Sequence, residues 1–355
     1  MAKTEKLLNR LEALRQETGV ARTIFAVCPN SLSVIRASFR AAKRNNAPIY
    51  FAATLNQIDG DGGYTGMTQS MFTKMLQFEA DRVNYTGCSI VAIDHGGPWL
   101  KDKQRVEKWS TEDAMNGVKK SFEDAALAGY DLIHVDPTVD INVAKGDVID
   151  IHVVVRRTVE LIKHVEDFRA ANNLPEISYE VGTEEVHGGL ADETTFDTFL
   201  TELKSGLAEV GLAHVWPCFI VGKVGTDLDT AIFDPEVARN LTSKVRPHGS
   251  WIKGHYTDGV SNPEEYPLSG MGAANVGPEF TISEYEALKE LDALERRFEA
   301  EGKVAVLSNM AATLERLVYE SGRWIKWLHE DEAGKDFPEL TAERREWLVG
   351  TGCRY

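Results

Sequence analysis

Two patterns of apolar and polar positions alternate along most of the chain. Short runs rich in Val, Ile, Phe and Ala end in Gly, Pro, Asp or Asn, and longer segments with apolar residues at helical spacing follow most of them. The runs that predict strands are residues 22–28, 48–54, 89–94, 132–136, 177–181, 214–221, 250–255 and 271–276. Strands that alternate with helices pair in parallel through right-handed crossovers. Eight such units predict an α/β protein with a closed (β/α)8 TIM barrel.

Helical spacing extends beyond the barrel at both ends of the chain. Leu7, Leu11 and Leu14 share one face of a predicted N-terminal helix. After the last predicted strand, residues 282–301 and 304–326 indicate more helix than barrel closure needs, and we expect this extension to cover the barrel or a partner subunit. The predicted parts are an N-terminal helix at 1–20, a catalytic barrel at 21–300 and a C-terminal helical extension at 301–355.

The composition narrows the classes of function. The chain has 355 residues, of which 43% are apolar, and a net charge of −16. This charge argues against a nucleic-acid partner, because phosphate neutralisation needs a basic surface, whereas a small anionic substrate feels only the local field of its cleft. No stretch reaches the roughly 20 apolar residues of a membrane span. The four cysteines lie far apart without C-x-x-C spacing, which indicates a reducing, cytoplasmic location.

Three of the nine histidines follow predicted strands. His95 ends the third strand, His187 follows the fifth and His255 ends the seventh. Active sites of such barrels lie at the carboxyl ends of the strands, so the three imidazoles are expected at the same end. Three histidines with an open fourth position are typical of a catalytic zinc site. Glu185 is an alternative ligand in place of one histidine.

The other six histidines indicate structural roles. His134 lies inside the fourth predicted strand, and His214 starts the sixth, at the opposite end of the barrel. The remaining four precede a strand or lie in helical stretches and the tail: His152, His164, His248 and His329.

Asp94 gains a catalytic interpretation from its neighbour His95. A carboxylate beside a metal can take or give a proton, whereas an isolated Asp after a strand more simply caps a turn or helix. Further carboxylates are expected on the same face of the barrel, namely Asp136, Glu180, Glu184, Glu185 and Asp258.

From about residue 25 to about residue 289 the chain resembles the class II, metal-dependent ketose aldolases. Within them it is most similar to the tagatose-bisphosphate aldolase subunits, which include the so-called non-catalytic subunit. The motifs are Asn56-Gln57, G-G-Y-T-G-M-T at 62–68, Asp94-His95-x-Gly-Pro, Ile133-His134-Val135-Asp136, Gly182-Thr183-Glu184, His255-x-Thr-Asp and Val276-Gly277-Pro278. Barrel patterning alone does not explain the 62–68 run.

The resemblance implies a site and a reaction. Asp94 would be the catalytic acid and base, while His95, His187 and His255 would bind Zn²⁺ or another divalent cation. The implied reaction is reversible retro-aldol cleavage of the C3–C4 bond of a ketose phosphate through a metal-bound enediolate. The predicted substrate-binding residues are Asn56, Asp136, Gly188, Asp258 and Asn275. The predicted partners are a sugar or sugar phosphate and further copies of the same chain.

Departures from the family pattern keep other functions open. Non-catalytic subunits have no histidine after Gly-Thr-Glu, so His187 indicates a chain with its own metal ligands. Tyr256 stands where catalytic aldolases have a phosphate-binding glycine, and no lysine occurs at 190–192, where the family has one; Gly188, Gly189 and Lys253 remain to hold a phosphate. The alternatives are a ketose C4-epimerase with the same retro-aldol chemistry and a non-catalytic subunit that stabilises an aldolase.

Overall fold

A computed structural model describes residues 1–144, 147–182, 193–226 and 231–354. The strands are β1 (Ile24–Val27), β2 (Ile49–Thr54), β3 (Ser89–Gly96), β4 (Leu132–Val135), β5 (Ser178–Gly182), β6 (Phe219–Val221), β7 (Trp251–Gly254) and β8 (Ala273–Val276). They form a closed barrel in chain order, with every neighbouring pair parallel and β8 paired to β1. The predicted (β/α)8 barrel is confirmed.

Helices connect the strands and continue after them. They are α1 (Lys3–Thr18), α2 (Leu32–Arg44), α3 (Gln69–Arg82), α4 (Asp102–Val106), α5 (Thr111–Leu127), α6 (Ile151–Ala171), α7 (Glu193–Glu209), α8 (Pro235–Val245), α9 (Glu265–Leu268), α10 (Pro278–Ala300), α11 (Met310–Ser321) and α12 (Ala342–Arg354). Ser31, Thr68 and Ser110 cap their helices by accepting a backbone N–H of the first turn. Within the described ranges, no helix combines the length and apolar character needed to cross a membrane.

α1 packs at the N-terminal end of the barrel. Its buried Leu8 and Leu11 belong to one apolar cluster with strand residues such as Tyr50, Phe219 and Trp251. The strands are buried almost throughout, because parallel strands are covered on both faces and therefore lack polar alternation. The opposite, carboxyl ends of the strands hold the polar groups of the site.

β6 is shorter than predicted. The apolar pattern indicated a strand from His214, but the strand begins at Phe219 and His214 lies in a preceding turn. Pro217 explains the difference, because proline has no N–H to donate to a sheet ladder. The pairing hydrogen bonds begin only after it, where Cys218 donates to the carbonyl of Tyr179.

The chain divides into two compact units, Met1–Val276 and Gly277–Tyr355. α10 packs against α11 and α12, so it belongs with the second unit, whereas the predicted boundary at 300 had placed it in the barrel. Helical spacing identifies an apolar face but not the element that covers it, which is why the boundary was misplaced. The second unit has its own apolar cluster of Val318, Trp324, Phe337, Leu340, Leu348 and Val349.

Candidate functional site

β3 carries a bulge at its carboxyl end. One extra residue is accommodated between Ile93 and Gly96 in the pairing with β4, and His95 has a φ of +48°. Consecutive side chains of a regular strand face opposite sides, but a bulge can redirect one of them. Here the side chains of both Asp94 and His95 reach residues of other strands. The bulge thus brings a carboxylate and an imidazole together at the barrel mouth.

Asp94 is buried, and its two carboxylate oxygens have different neighbours. Oδ1 accepts a hydrogen bond from Asn275 Nδ2 at 3.0 Å and lies 3.4 Å from Lys253 Nζ. Oδ2 has a weaker donor, the Cys28 thiol, at 3.7 Å. Burial by itself raises the pKa of a carboxyl group, but the charges of Lys253 and His95 hold the Asp94 pKa well below its usual value. Asp94 is therefore an anion held mainly through Oδ1.

Lys253 is a fully buried cation on β7. Its Nζ donates to Oε1 of the equally buried Glu180 at 2.8 Å and lies 3.3 Å from His255 Nε2. The Tyr50 hydroxyl donates to Glu180 Oε2 at 3.3 Å. Burial opposes the charge on Glu180, yet the neighbouring Lys253 and His134 lower its pKa to about 2. Lys253 and Glu180 therefore form a charged pair inside the barrel.

His95 and Asp136 form a second charged pair, nearer to solvent. His95 Nδ1 lies 2.6 Å from Asp136 Oδ2, and the Thr138 hydroxyl donates to Asp136 Oδ1 at 2.5 Å. Gly97 permits this approach, because a Cβ there would collide with the Asp136 carbonyl oxygen. Burial disfavours an imidazolium, but Asp94 and Asp136 raise the His95 pKa to about 9. Nδ1 is thereby directed to Asp136, which leaves Nε2 for another partner.

His134 joins His95 and His255 at the barrel mouth, although its position inside a strand indicated a structural role. The three ring centroids lie between 4.5 and 5.2 Å apart. The His95 backbone N–H donates to His134 Nδ1 at 3.1 Å. Inward-facing residues line the barrel along the whole strand, and not only at its last position. A mid-strand histidine can therefore reach the site.

Among the residues that the structure describes, two groups of ligand-type side chains lie close enough together to hold a cation. Within each, the ligand atoms are all within 4.8 Å of one another. The inner group consists of Asp94, His134, Glu180 and His255, and the outer group of His95, His134 and Asp136. Imidazole and carboxylate groups are the ligands that zinc and related divalent ions take in proteins. The donor types therefore fit a divalent cation.

The segment that follows β5 carries several predicted residues that lie outside the described ranges. His187, Glu185 and Gly188 belong to this segment, and so does Glu184. Their roles as metal ligands, alternative ligand and substrate contact stay predictions.

The region around β8 and the end of β7 holds three further residues of interest. Asn275 touches Asp94 through Nδ2, while its Oδ1 is buried and has no hydrogen-bond partner among the described residues. Tyr256 follows His255 with a φ of +54°, in the conformation that favours glycine. Asp258 is half-buried in the same turn. Asn275 therefore offers an unused acceptor beside Asp94.

Asn56 connects two loops at the barrel mouth. Its Nδ2 donates to the Leu100 carbonyl at 3.0 Å, and its Oδ1 accepts the Asp102 N–H at 2.8 Å. Gly63, in the 62–68 run, has a φ of +52°, and a Cβ there would collide with the Gln57 carbonyl oxygen. Both observations give Asn56 and the 62–68 run a structural role, because they hold the loop after β2 tightly against the loop after β3.

The contacts that Lys253, Tyr50 and Cys28 make in the site were not predicted. Lys253 was expected to help hold a phosphate, whereas its ammonium is directed to Glu180 and Asp94. A signal was available, because residues two apart on a strand face the same side and Lys253 lies two residues before His255.

Comparisons with known proteins agree with this architecture. Among solved structures, a probable tagatose 6 phosphate kinase from Sinorhizobium meliloti matches with a TM-score of 0.75 and 23% identity, over 94% of this chain and 83% of its own. A fructose-bisphosphate aldolase from Campylobacter jejuni matches with a TM-score of 0.56 and 12% identity, over 82% and 80% of the two chains. A putative fructose-1,6-biphosphate aldolase from Coccidioides immitis matches with a TM-score of 0.50 and 14% identity, over 99% and 92%.

These structural matches share the fold at low identity and do not by themselves transfer an activity. The family comparison is more specific, because residues 8–339 match one family model. The chain therefore belongs to the D-tagatose-1,6-bisphosphate aldolase subunit GatZ/KbaZ-like family.

Proposed function

We propose that the chain is a class II aldolase-type enzyme that cleaves the C3–C4 bond of a ketose phosphate reversibly. The observation that carries this proposal is the bulge of β3, which places the ionised Asp94 beside His95. Family membership supports the same class of chemistry. Retro-aldol cleavage needs a base for the C4 hydroxyl and a positive centre that stabilises the carbanion left on the ketone side.

Asp94 is the proposed base, and its contacts suggest which oxygen reacts. Oδ1 is held by Asn275 and Lys253, so Oδ2, whose donor among the described residues is the Cys28 thiol, is the oxygen that takes the C4 hydroxyl proton. The same oxygen returns the proton in condensation. Asn275 Oδ1, which is buried without a partner among the described residues, is proposed to accept a substrate hydroxyl.

His95 is the proposed first ligand of a divalent cation, zinc or another ion. The short contact of Nδ1 with Asp136 is the arrangement in which a carboxylate orients a metal-binding histidine and leaves Nε2 for the metal. When bound, the ion supplies Lewis-acid stabilisation of the negative charge on the ketone-side oxygens. His255 and His187 are the proposed further ligands, with Glu185 as the alternative. In this proposal Asp136 positions His95, while Gly188 and Asp258 face the sugar.

A ketose C4-epimerase is the second candidate, and the placement of Lys253 favours it. The ammonium predicted to hold a phosphate is directed to two carboxylates. Tyr256 keeps the left-handed backbone of a glycine turn but fills it with a side chain. Both features weaken phosphate binding, so the site is also compatible with a free ketose. Such a ketose would be cleaved and then re-joined on the other face of the aldehyde fragment, which inverts C4.

One experiment separates these functions. The protein loaded with Zn²⁺, Co²⁺ or Mn²⁺ is incubated with free and phosphorylated hexuloses, and the products are identified by proton NMR. Release of two three-carbon fragments supports the aldolase, and a C4 epimer without free fragments supports the epimerase. Absence of any turnover, together with co-purification of a catalytic aldolase, supports the stabilising-subunit alternative and contradicts the proposal.

We also propose that the protein is a cytoplasmic homo-oligomer. The second unit exposes large apolar side chains, among them Leu291, Leu317, Ile325 and Trp347, which are about half exposed. Exposed apolar groups of this kind support contact with another subunit. All four cysteines are free thiols, as a reducing compartment favours. Light scattering coupled to gel filtration tests the oligomeric state.

A further inference from the structure

Lys253 occupies the centre of the inner group of ligand-type side chains. Its Nζ lies 2.8 Å from Glu180 Oε1, 3.3 Å from His255 Nε2 and 3.4 Å from Asp94 Oδ1. These three residues are members of the group that otherwise fits a divalent cation. The side chain of Lys253 is fully buried, so its ammonium has no access to solvent as an alternative.

A divalent cation and this ammonium compete for the same acceptors. An ion bonded to the carboxylates and His255 would lie about 2 Å from each ligand atom and therefore very close to Nζ. Two positive charges at such a separation in a buried environment repel each other strongly. The fourth member adds little, because His134 Nδ1 already accepts the His95 backbone N–H.

We propose that Lys253 is a built-in cation that fills the inner group and excludes divalent metals from it. The ammonium neutralises Glu180 and Asp94 together, so Asp94 stays an oriented anion with no metal contact of its own. Any divalent ion then binds on the His95 side of the barrel mouth, where His255 could serve as a ligand only through Nδ1, because its Nε2 faces Lys253. Only this last step rests on the proposed function, since the exclusion from the inner group follows from the contacts of Lys253.

Lys253→Met tests the exclusion, because methionine keeps an unbranched side chain and removes the charge. Co²⁺ and Zn²⁺ are titrated calorimetrically into the metal-free full-length chain and into the variant. Freed of the ammonium, the inner group should bind one additional ion per chain, or the variant should bind its ion at least about tenfold more tightly, the scale of effects on metal affinity from groups around a site. Equal stoichiometry and affinity within a factor of about two would overturn the proposal.

The double variant Glu180→Gln/Lys253→Met is the matched control. It removes both charges of the buried pair, so the gain in metal binding should disappear. A gain that persists in the double variant would contradict the proposal, because Glu180 would then not be the acceptor that Lys253 protects. Lys119→Met, which removes a lysine from a partly exposed pair with Glu160, should leave metal binding unchanged.

Glu180→Gln alone keeps the proposal testable if Lys253→Met does not fold. Because Glu180 pairs with the ammonium in this proposal, neutralising Glu180 should leave the metal affinity within a factor of about three of that of the unaltered chain. Loss of a true ligand costs tenfold or more. A tenfold loss in Glu180→Gln would identify Glu180 as a metal ligand and overturn the proposal. If the unaltered chain binds no divalent ion, the proposed metal dependence fails, yet a metal gained by Lys253→Met still supports the role of Lys253.

Discussion

The barrel mouth contains two cation–carboxylate pairs that differ in what else they can bind. Lys253 is fully buried against Glu180, and an ammonium has only donors. His95 is paired with Asp136, and its side chain is 14% exposed, so the second nitrogen of the imidazole can face a ligand. The inner pair, Lys253 and Glu180, is suited to holding charge in place. The outer pair, His95 and Asp136, is suited to binding a ligand. Asp94, next to His95 in the chain and next to Lys253 in space, is influenced by both.

This difference suggests a general distinction within polar barrel cores. An ammonium has no lone pair, so when it binds a group of acceptors it leaves no place there for a second cation. An imidazole with one nitrogen engaged remains a potential metal ligand through the other nitrogen. Burial distinguishes the two pairs as well, since the inner pair has no exposed atoms and breaking it leaves unpaired charges in the core. The following variants test each pair separately.

Replacing Asp94, whose pKa both pairs influence, is expected to have the largest effect. Asp94→Asn keeps the shape and the Asn275 contact but removes the base, so turnover should fall by roughly 10²–10⁴-fold. Metal content should be unchanged, because Asp94 is assigned to Lys253 and Asn275 rather than to the metal. Turnover by NMR and metal content by mass spectrometry are measured on the same sample. Loss of metal in Asp94→Asn would make this residue a ligand instead of the base.

Breaking the inner pair should cost stability. Lys253→Met leaves Glu180 and Asp94 buried without their cation, and removal of one partner of a buried pair costs about 3–5 kcal/mol. Urea unfolding with chelator present measures this change. The double variant with Glu180→Gln should recover most of the loss, since it also removes one of the unpaired charges. Equal stability of Lys253→Met and the unaltered chain would show that the ammonium is not needed to neutralise these carboxylates.

The outer pair should make the stability of the metal-free protein depend on pH. The His95 pKa is raised to about 9 by Asp94 and Asp136, although burial opposes the charge, so the imidazolium stabilises the folded state. The stabilisation that comes from this raised pKa is fully present below the ordinary histidine value of about 6.5. It is lost as the pH rises through the folded-state pKa of about 9. Unfolding free energies with chelator should therefore fall by on the order of 2 kcal/mol across this window. Asp136→Asn should reduce the slope, and an unchanged slope would argue against the pairing.

The smallest expected effect concerns Tyr256. Its φ of +54° costs a side chain about 1 kcal/mol relative to glycine, so Tyr256→Gly should keep or slightly raise stability and leave metal binding intact. Without the tyrosine side chain, the backbone N–H groups of the turn become accessible to an anion. The substrate preference should therefore shift toward the phosphorylated ketose. The ratio of kcat/KM for phosphorylated and free substrate measures the shift. A strong preference for the bisphosphate in the unaltered chain would show that the tyrosine does not obstruct it.

The fold was predictable because its signal is local and repeated eight times along the chain. The gathering of side chains at the barrel mouth was predictable where they follow a strand end, as Asp94, His95, Asp136 and His255 do. His134 was not predicted, because a strand pattern shows that a residue is buried but not whether it faces the barrel interior. The pairing of Lys253 with Glu180 depends on two strands far apart in the sequence, and no local pattern encodes that contact. The left-handed φ at His95 reflects a bulge, which a run of strand-forming residues does not reveal.

The position of a bound metal tests the distinction between the two pairs most directly. Crystals soaked in Zn²⁺ are measured on both sides of the zinc absorption edge, and the anomalous peak locates the ion. We predict a peak at about 2.1 Å from His95 Nε2, with Lys253 still in contact with Glu180. A peak bonded to Glu180 and His134, with the Lys253 side chain displaced, would contradict the assignment of the inner pair to Lys253 and the outer pair to the metal.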